Sequence, residues 1–179
     1  MAVDKQNHAI LKALMRHIGL TPSWSLFRNQ APEHLGQFAA GLVAELLNDA
    51  DATGHPTEAQ LVSAYSFGYL VVHTLAGRVN VPAAEATAAF ALPFKREHFS
   101  HQADALFNLR MAAVHAMVLS KAPQSERAVR DAARALLSVG EDEGPQRDEA
   151  FNLALDNVLA VFERYVTDIP NLCVQHGVL

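Results

Sequence analysis

The chain has 179 residues, of which 50% are hydrophobic and 18% are charged. This composition excludes widespread disorder, because burial of so much apolar surface can offset the conformational entropy lost on folding. The formal net charge is −5 and the basic residues are scattered, which excludes the broad positive surface that nucleic-acid binding needs.

Glycine and proline residues predict where the helices begin and end, because glycine is favoured just after a helix and proline in a first turn. Glycines predicted to follow helices are Gly19, Gly54, Gly77 and Gly140, and prolines predicted to begin or precede helices are Pro32, Pro56, Pro82, Pro123 and Pro145. We predict seven helices, over 4–18, 32–53, 57–76, 82–92, 98–121, 124–139 and 146–168. Thr57 and Gln60 have the spacing of a capping box at the start of the third helix.

These elements predict a single all-α domain over residues 1–179, a length that fits one domain. It has an N-terminal helix (4–18), an aromatic connector (20–31), a helical core (32–168) and a short C-terminal tail. The connector contains Trp24 and Phe27, which are costly to leave in water, so we expect it to pack against the core.

A short pattern recurs in three of the predicted helices. Each copy has an aromatic residue followed seven places later by a valine, from Tyr65 to Val72, from Phe107 to Val114 and from Phe151 to Val158. The copies are 42 and 44 residues apart, within the range of about 40–47 residues typical of stacked two-helix repeats. Two architectures stay open, an irregular antiparallel bundle or stacked helical hairpins, and the spacing slightly favours the hairpins.

Arg110 is the exception within this pattern, because the other two copies have Gly68 and Ala154 at the same place. A helical projection places Arg110 near the centre of an apolar face formed by Leu106, Phe107, Val114, Met117 and Val118. In one interpretation its stem lies along apolar surface or its guanidinium is paired with a structural carboxylate. In the other it binds a carboxylate or phosphate of a small anionic ligand.

Histidines supply the other candidate site residues. His73 and His115 hold matching places in two copies of the pattern, and we predict that either or both join Arg110 in a ligand-binding site. His101, Asp104, Asn108 and His115 line the opposite face of the helix predicted over 98–121, which is most simply an exposed polar face. No metal site is predicted; the fallback metal ligands are His98, His101 and Asp104, since imidazole and carboxylate groups three or four residues apart can approach one ion.

The sequence contains no recognisable catalytic motif, so no catalytic residue and no cofactor is predicted. Cys173 is the only cysteine and is followed by His176, but this pair lacks the oriented third group and oxyanion donors that nucleophilic catalysis needs. Glycine-rich phosphate loops and repeated Glu-x-x-His pairs are missing from the sequence as well.

We therefore expect a non-catalytic helical binding or regulatory protein that acts through a protein partner or through self-association into a homo-oligomer. The alternative is a helical small-molecule-binding or enzymatic domain in which Arg110 holds an anion near a histidine. The N-terminus has Asp4 and Lys5 and lacks an apolar run, so we expect a cytoplasmic protein. The apolar stretch 61–76 falls short of the ~20 residues that cross a bilayer, and the excess of arginine over lysine is typical of bacteria with GC-rich genomes.

Overall fold

The computed structural model describes residues 32–50, 56–79, 81–139 and 146–179. These ranges contain six α-helices and no strand, which confirms the all-α prediction. The helices are α1 (Pro32–Ala50), α2 (Glu58–Val79), α3 (Ala83–His98), α4 (Asp104–Lys121), α5 (Pro123–Val139) and α6 (Gln146–Gln175). The helix predicted over 4–18 and the connector predicted over 20–31 lie outside the described residues.

Helix α2 is the centre of the described structure and contacts each of the other five helices. Every residue from Val62 to Gly68 is buried, as expected for a helix that is apolar on nearly all sides. The three helices that carry the repeated pattern, α2, α4 and α6, all contact one another. In stacked repeats each unit contacts only its neighbours, so the described helices form a bundle around α2 rather than a stack of hairpins.

The capping box predicted at the start of α2 is confirmed. The backbone N–H of Thr57 donates to Oε1 of Gln60 over 2.9 Å, and the backbone N–H of Gln60 donates to Oγ1 of Thr57 over 3.2 Å. The two side chains thereby satisfy amide groups that have no partner within the helix. This motif fixes the point at which α2 begins.

The boundary predicted between the fourth and fifth helices is wrong. Helix α3 does not end at residue 92 but continues through Pro93 to His98, and α4 begins at Asp104 rather than at 98. The extra turn of α3 buries Phe94, and Phe99 directly after the helix is buried as well. Burial of these two rings, which pack 6.0 Å apart, offsets the backbone hydrogen bond that proline removes.

The predicted end of the last helix at 168 is also wrong, because α6 continues through Pro170 to Gln175. Ile169 and Cys173 are fully buried, so the residues expected to form a tail belong to the core. The helix ends where Gly177 adopts a φ of +67° and the N–H of Val178 donates to the carbonyl of Cys173 over 2.9 Å. Gly177, in the left-handed conformation, closes a Schellman motif.

Gly77 does not end α2 as predicted. The helix continues to Val79, and Gly177 is the only glycine with positive φ among the described residues. Gly36 and Gly68 instead permit close packing, because a Cβ on Gly36 would lie 2.5 Å from the carbonyl oxygen of Ala86 and one on Gly68 would meet the ring of Phe90. These two glycines let α1 and α2 approach α3 closely.

Candidate functional site

Arg110 is paired within the protein. Its guanidinium forms an ion pair with the carboxylate of Glu58 at the start of α2, and 31% of the arginine side chain is exposed. The Nε2 of Gln102 donates to the same carboxylate over 3.0 Å. The arginine therefore has the structural carboxylate partner that one interpretation of the sequence required.

A second ion pair lies next to the first. Lys95 at the end of α3 pairs with Asp104 at the start of α4, and its ammonium also donates to the backbone carbonyl of Gln102 over 3.4 Å. We call Glu58, Lys95, Gln102, Asp104 and Arg110 the polar cluster. It contains two cations and two anions, so its charges balance and it has no net attraction for an anionic ligand.

His115 faces the core rather than lying on an exposed polar face. Its Nδ1 lies 3.2 Å from Oγ of Ser66 on α2, and the same Oγ lies 2.7 Å from the hydroxyl of Tyr165 on α6. All three groups are satisfied when Tyr165 donates to Ser66 and Ser66 donates to an imidazole that carries its proton on Nε2. We call Ser66, His115 and Tyr165 the hydroxyl network.

Burial keeps the titratable groups around this network uncharged. Loss of solvation lowers the pKa of His115 below its ordinary value and raises that of Tyr165, while the hydrogen bond between Tyr165 and Ser66 acts on the tyrosine pKa in the opposite direction. Burial also raises the pKa of Cys173 to about 11. The cysteine is therefore a neutral thiol at physiological pH and lacks the thiolate character of a nucleophile.

The two predicted ligand histidines flank Tyr69. The ring centroid of Tyr69 lies 4.6 Å from that of His115 and 5.9 Å from that of His73, which is exposed. Arg110 contacts α2 at Glu58, whereas His115 contacts α2 at Ser66. These two α2 residues are eight positions apart, which is about 12 Å along the helix axis. The arginine and His115 thus meet α2 at two separate places, and a shared ligand site for the three stays a prediction.

The fallback metal ligands do not form a site. Among the described residues, no group of three or more histidine, cysteine, aspartate or glutamate side chains could hold a metal ion. The ring of His98 packs 5.0 Å from that of Phe94, Asp104 pairs with Lys95 and His101 is exposed. Because α3 ends at His98 and α4 begins at Asp104, the three residues do not share one face of a single helix, as the prediction required.

An open groove of about 550 Å³ lies between the start of α5 and the last turns of α6. Its lining includes Lys121, Asp168, Asn171 and Gln175. The lysine and the aspartate bring opposite charges to its edges, so the groove has no preference for either sign of ligand charge.

The outward face of α4 carries a set of apolar side chains that the sequence analysis did not single out. Leu106, Leu109 and Leu119 are 44%, 68% and 56% exposed, and Ala112 and Ala116 are exposed between them. We call Leu106, Leu109, Ala112, Ala113, Ala116 and Leu119 the α4 stripe. The projection grouped Leu106 with Phe107, Val114, Met117 and Val118 on one apolar face, but α4 is apolar on both sides. Its buried residues are Phe107, Met111, Val114, Met117 and Val118, and Leu106 lies outside this buried face.

No described helix has the length and apolar character needed to cross a membrane. Comparison with family models, with curated proteins and with solved structures finds no match to this chain. The residues that the structure describes form an all-α bundle in which α4 carries an outward apolar face.

Proposed function

We propose that this chain is a non-catalytic helical binding protein of the cytoplasm, which acts by docking a protein surface on the α4 stripe. The observation that carries the proposal is the exposure of three leucines on one helix, with 44%, 68% and 56% of Leu106, Leu109 and Leu119 accessible. Single exposed leucines are ordinary, whereas a continuous apolar face marks an interaction surface.

The spacing of the α4 stripe supports a helical mode of docking. Leu109, Ala112, Ala116 and Leu119 follow one another at intervals of three, four and three residues, which places them on one side of the helix. Partners bind such faces by packing a groove or another helix against the i, i+3, i+4 and i+7 positions. The alanines leave room for the partner backbone to come close.

Three groups that could perform chemistry are engaged or buried, which supports a non-catalytic role. Ser66 is fully buried, the pKa of Cys173 is raised to about 11 by burial, and Arg110 is paired with Glu58. The alternative of a small-molecule or enzymatic domain needs Arg110 free for an anion, so the ion pair gives it no support.

Site-specific photo-crosslinking in cells that make the protein tests this proposal. A photoreactive amino acid in place of Leu109 should give a covalent adduct with another polypeptide chain. The same amino acid in place of Leu153, which is 71% exposed on α6, is the matched control and should give none. The proposal is wrong if position 109 yields no interchain adduct, or if both positions yield the same adducts.

A further inference from the structure

We infer that the partner of the α4 stripe is a second copy of this chain, with the two α4 helices antiparallel about a two-fold axis between Ala112 and Ala113. The inference rests on the proposed function and names the partner that the stripe would take. Three features of α4 carry it, namely the spacing of its outward residues, their sizes and the charges at its two ends.

The spacing fits a helix pair. Ala105, Leu109, Ala112, Ala116 and Leu119 are separated alternately by four and three residues, as in the core positions of a coiled coil. Helices that pack in this way lie nearly parallel or antiparallel to each other. The outward residues of α4 therefore follow this spacing along the whole helix, so a second α4 helix can pack against them.

The sizes of the side chains complement one another across the axis. With the axis between Ala112 and Ala113, Leu109 of one copy faces Ala116 of the other, so a large side chain meets a small one. The alanines at the centre let the helices approach closely. A two-fold interface must be complementary to itself, and this register meets that condition.

The charges at the ends of α4 favour the antiparallel arrangement. Asp104 is its first residue and Lys121 its last, and the same register places Asp104 of one copy opposite Lys121 of the other. The Asp104 side chain is 84% exposed even though it pairs with Lys95, so it has room for a second cation. A parallel pair would instead oppose like charges at both ends.

Little charge interrupts the surface between those ends. Arg110 is the only other lysine, arginine, aspartate or glutamate in α4, and its guanidinium is held by Glu58. A single pair of helices that meet mainly through leucines and alanines buries less than the roughly 1,200 Å² in total at which stable interfaces start. We therefore expect a weak dimer whose population rises with protein concentration.

Sedimentation velocity over a concentration series tests for the dimer. Wild-type protein should shift from monomer to dimer as its concentration rises. Leu109→Glu should remove the shift, because it places two like charges in the apolar interface. Leu153→Glu, an equal change on exposed α6 surface, should behave as wild type, and circular dichroism should show that both variants keep the helical fold.

Disulfide trapping tests the register. In the antiparallel pair, residue 109 of one copy lies beside residue 116 of the other but about 10 Å along the axis from its own counterpart, too far for a disulfide, which needs Cα atoms within about 7 Å. A mixture of Leu109→Cys and Ala116→Cys proteins should therefore cross-link on oxidation, whereas neither protein should cross-link by itself. Wild type is the background control because its Cys173 is buried.

The outcomes separate this inference from the proposed function. A monomer at all concentrations, a dimer that persists in Leu109→Glu, or cross-linking of Leu109→Cys with itself each overturns the inference. If the photoreactive residue at 109 then captures a different protein, the proposed function survives and only the partner is wrong. If the photoreactive residue at 109 forms only intramolecular cross-links, another part of the same chain covers the α4 stripe, and both proposals fail.

Discussion

The hydroxyl of Ser66 joins α2 to α4 through a 3.2 Å contact with Nδ1 of His115, although the two residues are 49 positions apart in the chain. The same hydroxyl reaches the phenol of Tyr165 on α6. One buried serine therefore links the three helices that carry the repeated sequence pattern, and each of its partners depends on it for a hydrogen bond.

Stability should depend on pH through His115. Burial lowers its pKa in the folded state, so the unfolded chain takes up a proton more readily. The neutral imidazole contributes its full stability above the unfolded pKa of about 6.5, and this contribution is lost as the pH falls from there toward the folded pKa. Urea unfolding should show a lower free energy of unfolding at acidic than at neutral pH.

His115→Gln should reduce that pH dependence, because it removes the group responsible. His73→Gln removes an exposed histidine and serves as the control for loss of an imidazole. Equal pH profiles for wild type and His115→Gln would contradict the assignment.

Ser66→Ala should lower the free energy of unfolding by about 1–3 kcal/mol, because it leaves the buried hydroxyl of Tyr165 without its partner. Tyr165→Phe removes that hydroxyl, so the double variant should be less destabilised than the sum of the two single variants. Chemical denaturation of the four proteins measures the coupling. Strict additivity would show that the two hydroxyls do not interact.

Gly36→Ala should destabilise the protein by about 1–3 kcal/mol through overpacking. Its new methyl group would press on the backbone of α3, 2.5 Å from the carbonyl oxygen of Ala86 and 2.7 Å from the nitrogen of Phe90. Gly77→Ala is the matched control, because that glycine has open space around it and lies within a helix. It should stabilise by about 0.5–1 kcal/mol, and thermal melts that rank the two variants in the opposite order would refute this packing.

Arg110→Ala should cost less than about 1 kcal/mol, because the ion pair with Glu58 is partly exposed to solvent. If the pair occupies the guanidinium, inorganic phosphate should raise the melting temperature of wild type and variant equally. Stabilisation by phosphate of the wild type alone would instead establish Arg110 as an anion site, as the sequence left open.

Features that depend on neighbouring residues could be predicted from the sequence, whereas contacts between residues distant in the chain could not. The capping box of Thr57 and Gln60 spans four residues, and its chemistry was fully specified by them. The end predicted at Pro93 was wrong because α3 continues to bury Phe94, and that burial depends partly on the ring of Tyr65 from α2. A similar limit applied to the end of α6, where the buried Ile169 and Cys173 outweigh the local effect of Pro170.

The candidate site was likewise predictable only where it depends on neighbouring residues. The isolation of Arg110 among apolar residues was visible, but its partner Glu58 lies at the start of another helix. His115 was placed on an exposed face because a helical projection cannot tell which of two similar sides of α4 turns inward. The exposure of Leu106 and Leu109 could not be predicted for the same reason, since their outward direction follows only from how α4 packs against α2.

The central position of α2 determines how this molecule can open. Because α2 contacts all the other described helices, we expect the amide hydrogens of its buried stretch from Val62 to Gly68 to reach solvent only when the whole described bundle comes apart. Their slow exchange then reports the global free energy of unfolding, while partial openings are confined to the outer helices. A partner that loosened α4 would thus leave α2 protected from solvent, and the structural response to binding would be confined to the outer helices.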